Sequence, residues 1–464
     1  MEESTHRPEN PRRRRKTRME IIKEAYLPYI FLGLTVLFVI VFIVGGAIRR
    51  SGTDETQPPE TTETTAPSED LFAAEVERLL AQAAQLAKGY DYEGAAELLN
   101  SFSGDITAYP ALAAQRQEYL RQATNMITWS DPAQVTALSF HTLIADPSRA
   151  FTNQSYGTAY NKNFVTVDEF AKILQQLYDN GYILVSLSDI SACEESQTGH
   201  TTCAPKELKL PLGKKPLLLI QTNANYYTYM VDGDGDGEAD KLGAGFASKM
   251  IVDDRGNITC EMVDASGNTV TGNYDLVPIL NDFIAGHPDF SYNGARAILA
   301  PSGYDGIFGY RIDAATKTEK GESYYNEQVA GAKKLVQTLR EQGYDLACYT
   351  YANNAYGTIS AAEIQSDLRL WTAEITPVLG QTNILVYAQN SEIEEYSGSK
   401  FNVLQNAGFR YYFGFTTATS GGQATADHFE LKRLAVTGSQ MATTNLYSSL
   451  FDAQAILDPN RPAQ

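Results

Sequence analysis

The rhythm of hydrophobic and polar positions changes several times along the chain. From Ala25 to Ile48, twenty-four residues carry no charge and are dense in Leu, Ile, Val and Phe. A helix needs about 20 such residues to cross a bilayer, so this stretch is expected to be a transmembrane helix. Residues 51–68 are Thr, Glu and Pro without one large apolar side chain. They have nothing to bury and predict an extended, flexible stalk. From Glu69 to about Met126 the apolar positions return at the helical period of about 3.6 residues. Leu71, Phe72, Val76, Leu79, Leu80, Ala83 and Leu86 share one face, Gly89-Tyr90-Asp91 ends the helix, and Asp91 is placed to cap a second carrying Ala95, Leu98, Leu99 and Phe102.

From about Gln134 the pattern alternates between strand and helix. Candidate strands are 135–140, 182–187, 216–222, 295–301, 345–350, 383–388, 410–415 and 430–436. Two of the helices between them open with capping boxes, Thr166-x-x-Glu169 and Ser360-x-x-Glu363. The first presents Phe170, Ile173, Leu174 and Leu177 on one face. Eight strands separated by helices predict an α/β protein whose parallel sheet closes, or nearly closes, into a barrel. Functional residues are then expected at the C-terminal ends of the strands. An insertion at about 230–273 carries turn signals at Asp254-Arg255-Gly256-Asn257 and Ser266-Gly267-Asn268 and is expected to form a small β-hairpin excursion. The expected division is a basic tail at 1–24, the anchor at 25–48, the stalk at 49–68, a helical segment at 69–130, the barrel at 134–445, and a C-terminal helix and tail at 446–464.

Charge adds an orientation. The 464 residues hold 37 Lys and Arg against 56 Asp and Glu, for a net charge of −19. The first fifty residues have ten basic and five acidic side chains, so the remainder carries −24. A body that acidic argues against a nucleic-acid partner. Seven basic residues from Arg12 to Lys23 precede the apolar run and only Arg49 and Arg50 follow it, which places the N-terminus in the cytoplasm and the main domain outside the cell. A cleaved signal peptide is disfavoured because the apolar run exceeds the usual 7–15 residues and Gly45-Gly46-Ala47 is followed by arginines.

Five segments carry a family resemblance: ALSFHTLI at 137–144, VTVDEFAKILQQLYDNGYILVSLSDI at 165–190, KKPLLLIQTNANYYTY at 214–229, GYDLACYTYANNAYGTIS at 343–360 and NILVYAQN at 383–390. In order and spacing they resemble the polysaccharide deacetylase (NodB-homology) family. The resemblance spans about residues 134–445 and implies a distorted (β/α) barrel. It also implies hydrolysis of N- or O-acetyl groups on a glycan by one divalent metal ion. That chemistry takes an Asp-Asp pair after the third strand, one carboxylate as base and one as ligand, and two histidines four residues apart. The pair falls on Thr222 and Asn223, and the histidines on Tyr349 and Asn353. Thr, Asn and Tyr are poor zinc ligands and weak bases near neutral pH. A pseudoenzyme is therefore expected, with no cofactor in the barrel and with cell-wall or extracellular glycan as its partner. One alternative is an active deacetylase with Zn2+ held by a site rebuilt around His141, the only one of five histidines well placed at the expected mouth. Another is a scaffold for protein interactions. The segment LAKGYDYEGAAELL likewise resembles one tetratricopeptide-type hairpin.

Smaller signals remain. Asp232, Asp234, Asp236, Gly237 and Asp240 have the spacing of a calcium loop, although Gly243 stands where the bidentate carboxylate is usual. A solvated acidic turn is the competing reading. Cys193 and Cys203 bracket a nine-residue loop in a compartment that permits oxidation and are expected to form a disulfide. Cys260 and Cys348 are expected to be core thiols. Tyr226, Tyr227, Tyr304 and Tyr351 cluster at the expected mouth, where rings can stack on sugar faces.

Overall fold

The computed structural model describes residues 72–196, 201–232 and 243–463. The expected tail, anchor and stalk lie outside them, as do His200, Asp234, Asp236 and Asp240. Among the described residues no helix is long and apolar enough to cross a membrane.

The strand–helix alternation builds a barrel. Its strands are β1 Thr136–Phe140, β2 Tyr182–Leu184, β3 Lys215–Thr222, β4 Ile298–Ala300, β5 Asp345–Leu346, β6 Ile384–Val386, β7 Tyr411–Phe415 and β8 Phe429–Ala435. They run parallel in the order β5-β4-β3-β1-β8-β7-β6, with β2 paired to the start of β3. A parallel bridge between Cys348 and Leu385 closes the ring, made by two hydrogen bonds, Cys348 N–H to the Ile384 carbonyl (3.0 Å) and Val386 N–H to the Cys348 carbonyl (2.9 Å). All eight expected strands are present. β5 is two residues long rather than six because the extended run beyond Leu346 shares its bonds between two neighbours: Ala347 and Tyr349 donate to β4 and its extension, Cys348 to β6.

Side chains alternate across each strand, so every second residue points into the barrel. Ala137, Leu218, Ile298, Ala347, Val386, Phe413 and Leu431 fill the lower layers. One or two layers further along, the same registers turn polar: Ser139 and His141, Thr222, Ser302, Tyr349, Asn390 and Arg433. The outer faces bury against helices such as α4 Val167–Asp179, whose Phe170, Ile173, Leu174 and Leu177 are all buried and whose capping box is formed.

Two segments differ from expectation. The helical segment has the expected pair, α1 Ala73–Lys88 and α2 Tyr92–Asn100, with Asp91 capping the second, and adds a third helix, α3 Pro110–Thr124. α3 escaped the periodicity because only Leu112 and Tyr119 of its fifteen residues are buried. The segment meets the N-terminal end of the barrel through Asn293 N–H to the Gly89 carbonyl (3.0 Å) and Tyr90 Oη to the Asp289 carbonyl (2.7 Å). At the other terminus, residues 446–463 are part of the barrel domain rather than a separate tail. Arg461, nearly buried, donates to the fully buried Glu169 of α4 at 2.6 and 2.7 Å and to the Phe164 carbonyl at 2.6 Å. A carboxylate in the core needs such a partner, and only the chain end supplies it. The insertion forms a three-stranded antiparallel sheet, Lys249–Val252, Ile258–Val263 and Thr269–Gly272.

Candidate functional site

Strain marks one end of the barrel. Ten described non-glycine residues have positive φ, and eight of them follow C-terminal strand ends: Asn223 and Tyr226 after β3, Asp305 and Phe308 after β4, Thr350 and Asn353 after β5, Gln389 and Asn390 after β6. Such conformations cost on the order of 1 kcal/mol or more each and cluster at functional sites.

The hub of this rim is Tyr227, whose ring is buried. Its hydroxyl donates to Asn223 Oδ1 (2.8 Å) and accepts from Asn353 Nδ2 (2.9 Å), with Ser302 Oγ at 2.7 Å. One phenol thus ties together the ends of β3, β4 and β5. Gln389 Nε2 extends the chain to the Asn353 carbonyl at 2.7 Å. Desolvation raises the Tyr227 pKa well above its ordinary value, so the hydroxyl stays neutral and keeps its proton.

Beside the hub, Thr222 Oγ1 lies 2.9 Å from His141 Nδ1. Burial, followed by the charge of Arg433, pushes the His141 pKa down to about 4, so the imidazole is neutral at physiological pH. Arg433 comes from β8 and is 2% exposed. Its Nη1 donates to Ser139 Oγ (2.9 Å), and its Nη2 to the Tyr387 carbonyl (3.0 Å) and Asn390 Oδ1 (3.2 Å). Tyr349 also hydrogen-bonds it. Its Nε has no partner. These side chains surround a chamber of about 130 Å3. Adjoining it through His141 and Asn163 is a groove of about 360 Å3 walled by Tyr156, Tyr160, Phe164 and Tyr229.

The four positions where the resemblance places a base and metal ligands are brought together, but their chemistry does not suit a divalent cation. Thr222 and Asn223 offer neutral oxygens already engaged with neighbours, Asn353 offers a single neutral amide oxygen without a partner, and Tyr349 is bonded to a guanidinium. The permanent cation of Arg433 would repel a metal ion there. Among the described residues no group of three or more His, Cys, Asp or Glu side chains could hold a metal.

The tyrosines separate. Tyr226 does not line the mouth: it is fully buried, and its hydroxyl donates to Asp275 at 2.5 Å. Tyr227 contributes its hydroxyl as a hub, not an open ring face. Tyr351 is partly buried and donates to Glu374 at 2.5 Å. Tyr304 is 61% exposed, with its ring 6.3 Å from that of Tyr227, and is free to stack on a ligand. Of the aspartates in the calcium-like loop only Asp232 is described, and it is fully buried. Cys193 and Cys203 are joined in a disulfide, while Cys260 and Cys348 are free and buried. Sequence reasoning missed Arg433, Asn390 and the groove residues Tyr156 and Tyr160. A signal for Arg433 existed: in Phe429-Glu-Leu-Lys-Arg, the two-residue apolar register of Phe429 and Leu431 carries on to position 433, which puts a cation on the barrel's inner face.

No family model matches the chain, and no curated protein matches it. Among solved structures it is similar to a Streptococcus pyogenes deacetylase, PplD, in complex with acetate: 13% identity, over 69% of this chain and 99% of that one, with a TM-score of 0.35.

Proposed function

We propose that this chain is a membrane-anchored, extracellular protein with a deacetylase-like barrel that binds a cell-wall or extracellular glycan without hydrolysing it. The observation that carries this reading is the chemistry of the rim. The positions that would hold base and metal are knitted into a neutral hydrogen-bond network around Tyr227, beside a buried cation. What remains open is a tyrosine-walled groove, whose faces suit the C–H surfaces of sugar rings and whose neighbouring amides and hydroxyls suit sugar oxygens.

The test is titration of the full chain with acetylated chito-oligosaccharides, with acetate release assayed in parallel. Saturable binding without acetate is expected, and Tyr229→Ala should weaken it about tenfold, or about 1.4 kcal/mol. Acetate release that a chelator abolishes would overturn the non-hydrolytic part. Absence of saturable binding would remove the glycan.

A further inference from the structure

The chain carries 56 acidic side chains, yet none of the twelve residues lining the chamber is Asp or Glu, and one is Arg433. A buried guanidinium ordinarily has a carboxylate partner, because an uncompensated charge out of water is costly. Here every partner is neutral: a serine hydroxyl, a backbone carbonyl, an amide oxygen and a tyrosine. The nearby carboxylate of Glu392 is already held by Lys432 at 2.6 and 2.7 Å. Arg433 Nε is buried without a hydrogen-bond partner. The site is thus short of one negative charge and one acceptor. Exposed Asn163, Gln389 and Asn390 leave the chamber open to ligand, and His141 and Asn163 join it to the tyrosine groove.

We infer that the chamber receives the oxyanion of an acidic sugar, namely the carboxylate of a uronic acid, with Arg433 as its counter-ion and the adjoining sugar ring on the tyrosine groove. This deepens the glycan-binding reading and rests on it for the groove, but not for the chamber. A monoanion matches the single charge of Arg433. The volume of about 130 Å3 is that of roughly four waters at about 30 Å3 each, so it admits a carboxylate and its attached carbon but not a polysaccharide segment. The neutral imidazole of His141, whose pKa is pushed down to about 4, can hydrogen-bond the incoming group without adding a proton to it at neutral pH. A sulfate ester shares the oxyanion chemistry and is separated by experiment.

The probes are D-glucuronate, its methyl ester, glucose 6-sulfate and a neutral chito-oligosaccharide, each titrated into the full chain at fixed ionic strength. Glucuronate should bind at least tenfold more tightly than its ester, and Arg433→Gln should abolish that difference. If Arg433→Gln does not fold, Ala435→Leu decides, because it fills the chamber without altering the cation and should have the same effect. Equal binding of glucuronate and ester overturns the anion site while the glycan reading stands. Glucuronate selectivity without chito-oligosaccharide binding supports the anion site and overturns the neutral-glycan groove. Glucose 6-sulfate binding more tightly than glucuronate overturns the carboxylate assignment. No binding of any probe overturns both readings.

Discussion

The two ends of the barrel hold opposite things. Where β4, β5 and β6 begin, a polar groove of about 790 Å3 is the larger hollow. Its turns use Gly294, Gly343 and Gly408 at positive φ, with Asn293 the exception, and its wall carries charges of both signs, the acids Asp189 and Asp345 with Arg340. Where the strands end, the chamber is a sixth of that size, most left-handed positions of the rim are held by Asn, Tyr, Thr, Asp, Phe and Gln, with Gly306 and Gly309 the exceptions, and the charge lining the chamber is a cation. Glycine enters that region of φ at no steric cost, so the first end is relaxed. The second keeps larger residues there at a cost that the surrounding packing must offset. Strain and unmatched charge, not volume, separate the functional end from the structural one.

The largest effect that would test this contrast compares two buried acids. Asp275 supports the strained end: it accepts from Leu143 N–H (2.9 Å), Gln221 Nε2 (2.8 Å) and Tyr226 Oη (2.5 Å). Asp275→Leu should cost roughly 3 kcal/mol or more, read from the urea midpoint, because three buried donors lose their acceptor. Asp345→Asn at the relaxed end should cost nothing at pH 7 and should stabilise slightly. An equal loss in the two variants would erase the distinction.

A second effect is a pair of opposed pH slopes. Burial, followed by neighbouring charge, raises the Asp345 pKa to about 6. The folded protein therefore holds that proton more tightly than the unfolded chain, and the stabilisation present below about pH 4 is lost as pH rises to about 6. His141 behaves inversely: with its pKa lowered to about 4, its folded state resists protonation, and stability present above about pH 6.5 is lost as pH falls toward 4. The ceilings are about 3 kcal/mol for Asp345 and about 3.5 kcal/mol for His141, at about 1.4 kcal/mol per pKa unit. Relative to the parent chain, Asp345→Asn should gain stability as pH rises from 4 to 6, and His141→Gln should lose it from 4 to 6.5. Parallel slopes would show that the two ends do not differ in sign.

The smallest effect is at the rim itself. Tyr304→Ala, at an exposed position, should change unfolding free energy by less than about 0.5 kcal/mol while lowering oligosaccharide affinity a few-fold in the same titration. A large stability loss would make the ring structural.

Much of the barrel was legible because its signals are local. The Thr166 and Ser360 capping boxes, the turns of the insertion and the apolar runs of the strands depend on near neighbours in sequence. The helix Pro110–Thr124 was not legible, since it buries too few residues to leave a period. The site was half legible: resemblance brought Thr222, Asn223, Tyr349 and Asn353 to one rim, but nothing local told Tyr226 from Tyr227. Adjacent residues of one loop, they part because the positive φ at Tyr226 turns its ring toward Asp275 behind the sheet while Tyr227 meets the ends of three strands. Arg461, which belongs to Glu169 almost three hundred residues earlier, needs the closed fold to be understood.

The closure of the ring has a mechanical consequence. Between β5 and β6 only two backbone hydrogen bonds, at Cys348 and Val386, complete the circle, beside one side-chain bond from Thr382 Oγ1 to the Leu346 carbonyl (2.6 Å), and inward residues further along those strands, Tyr349 and Asn390, wall the chamber. The seam is therefore the compliant direction of the barrel, and it runs beneath the chamber. An occupant bonded to both walls would act as a stitch across it, so the Cys348 and Val386 amides should exchange with solvent more slowly when the chamber is filled, while those in the β1–β3 ladder stay unchanged.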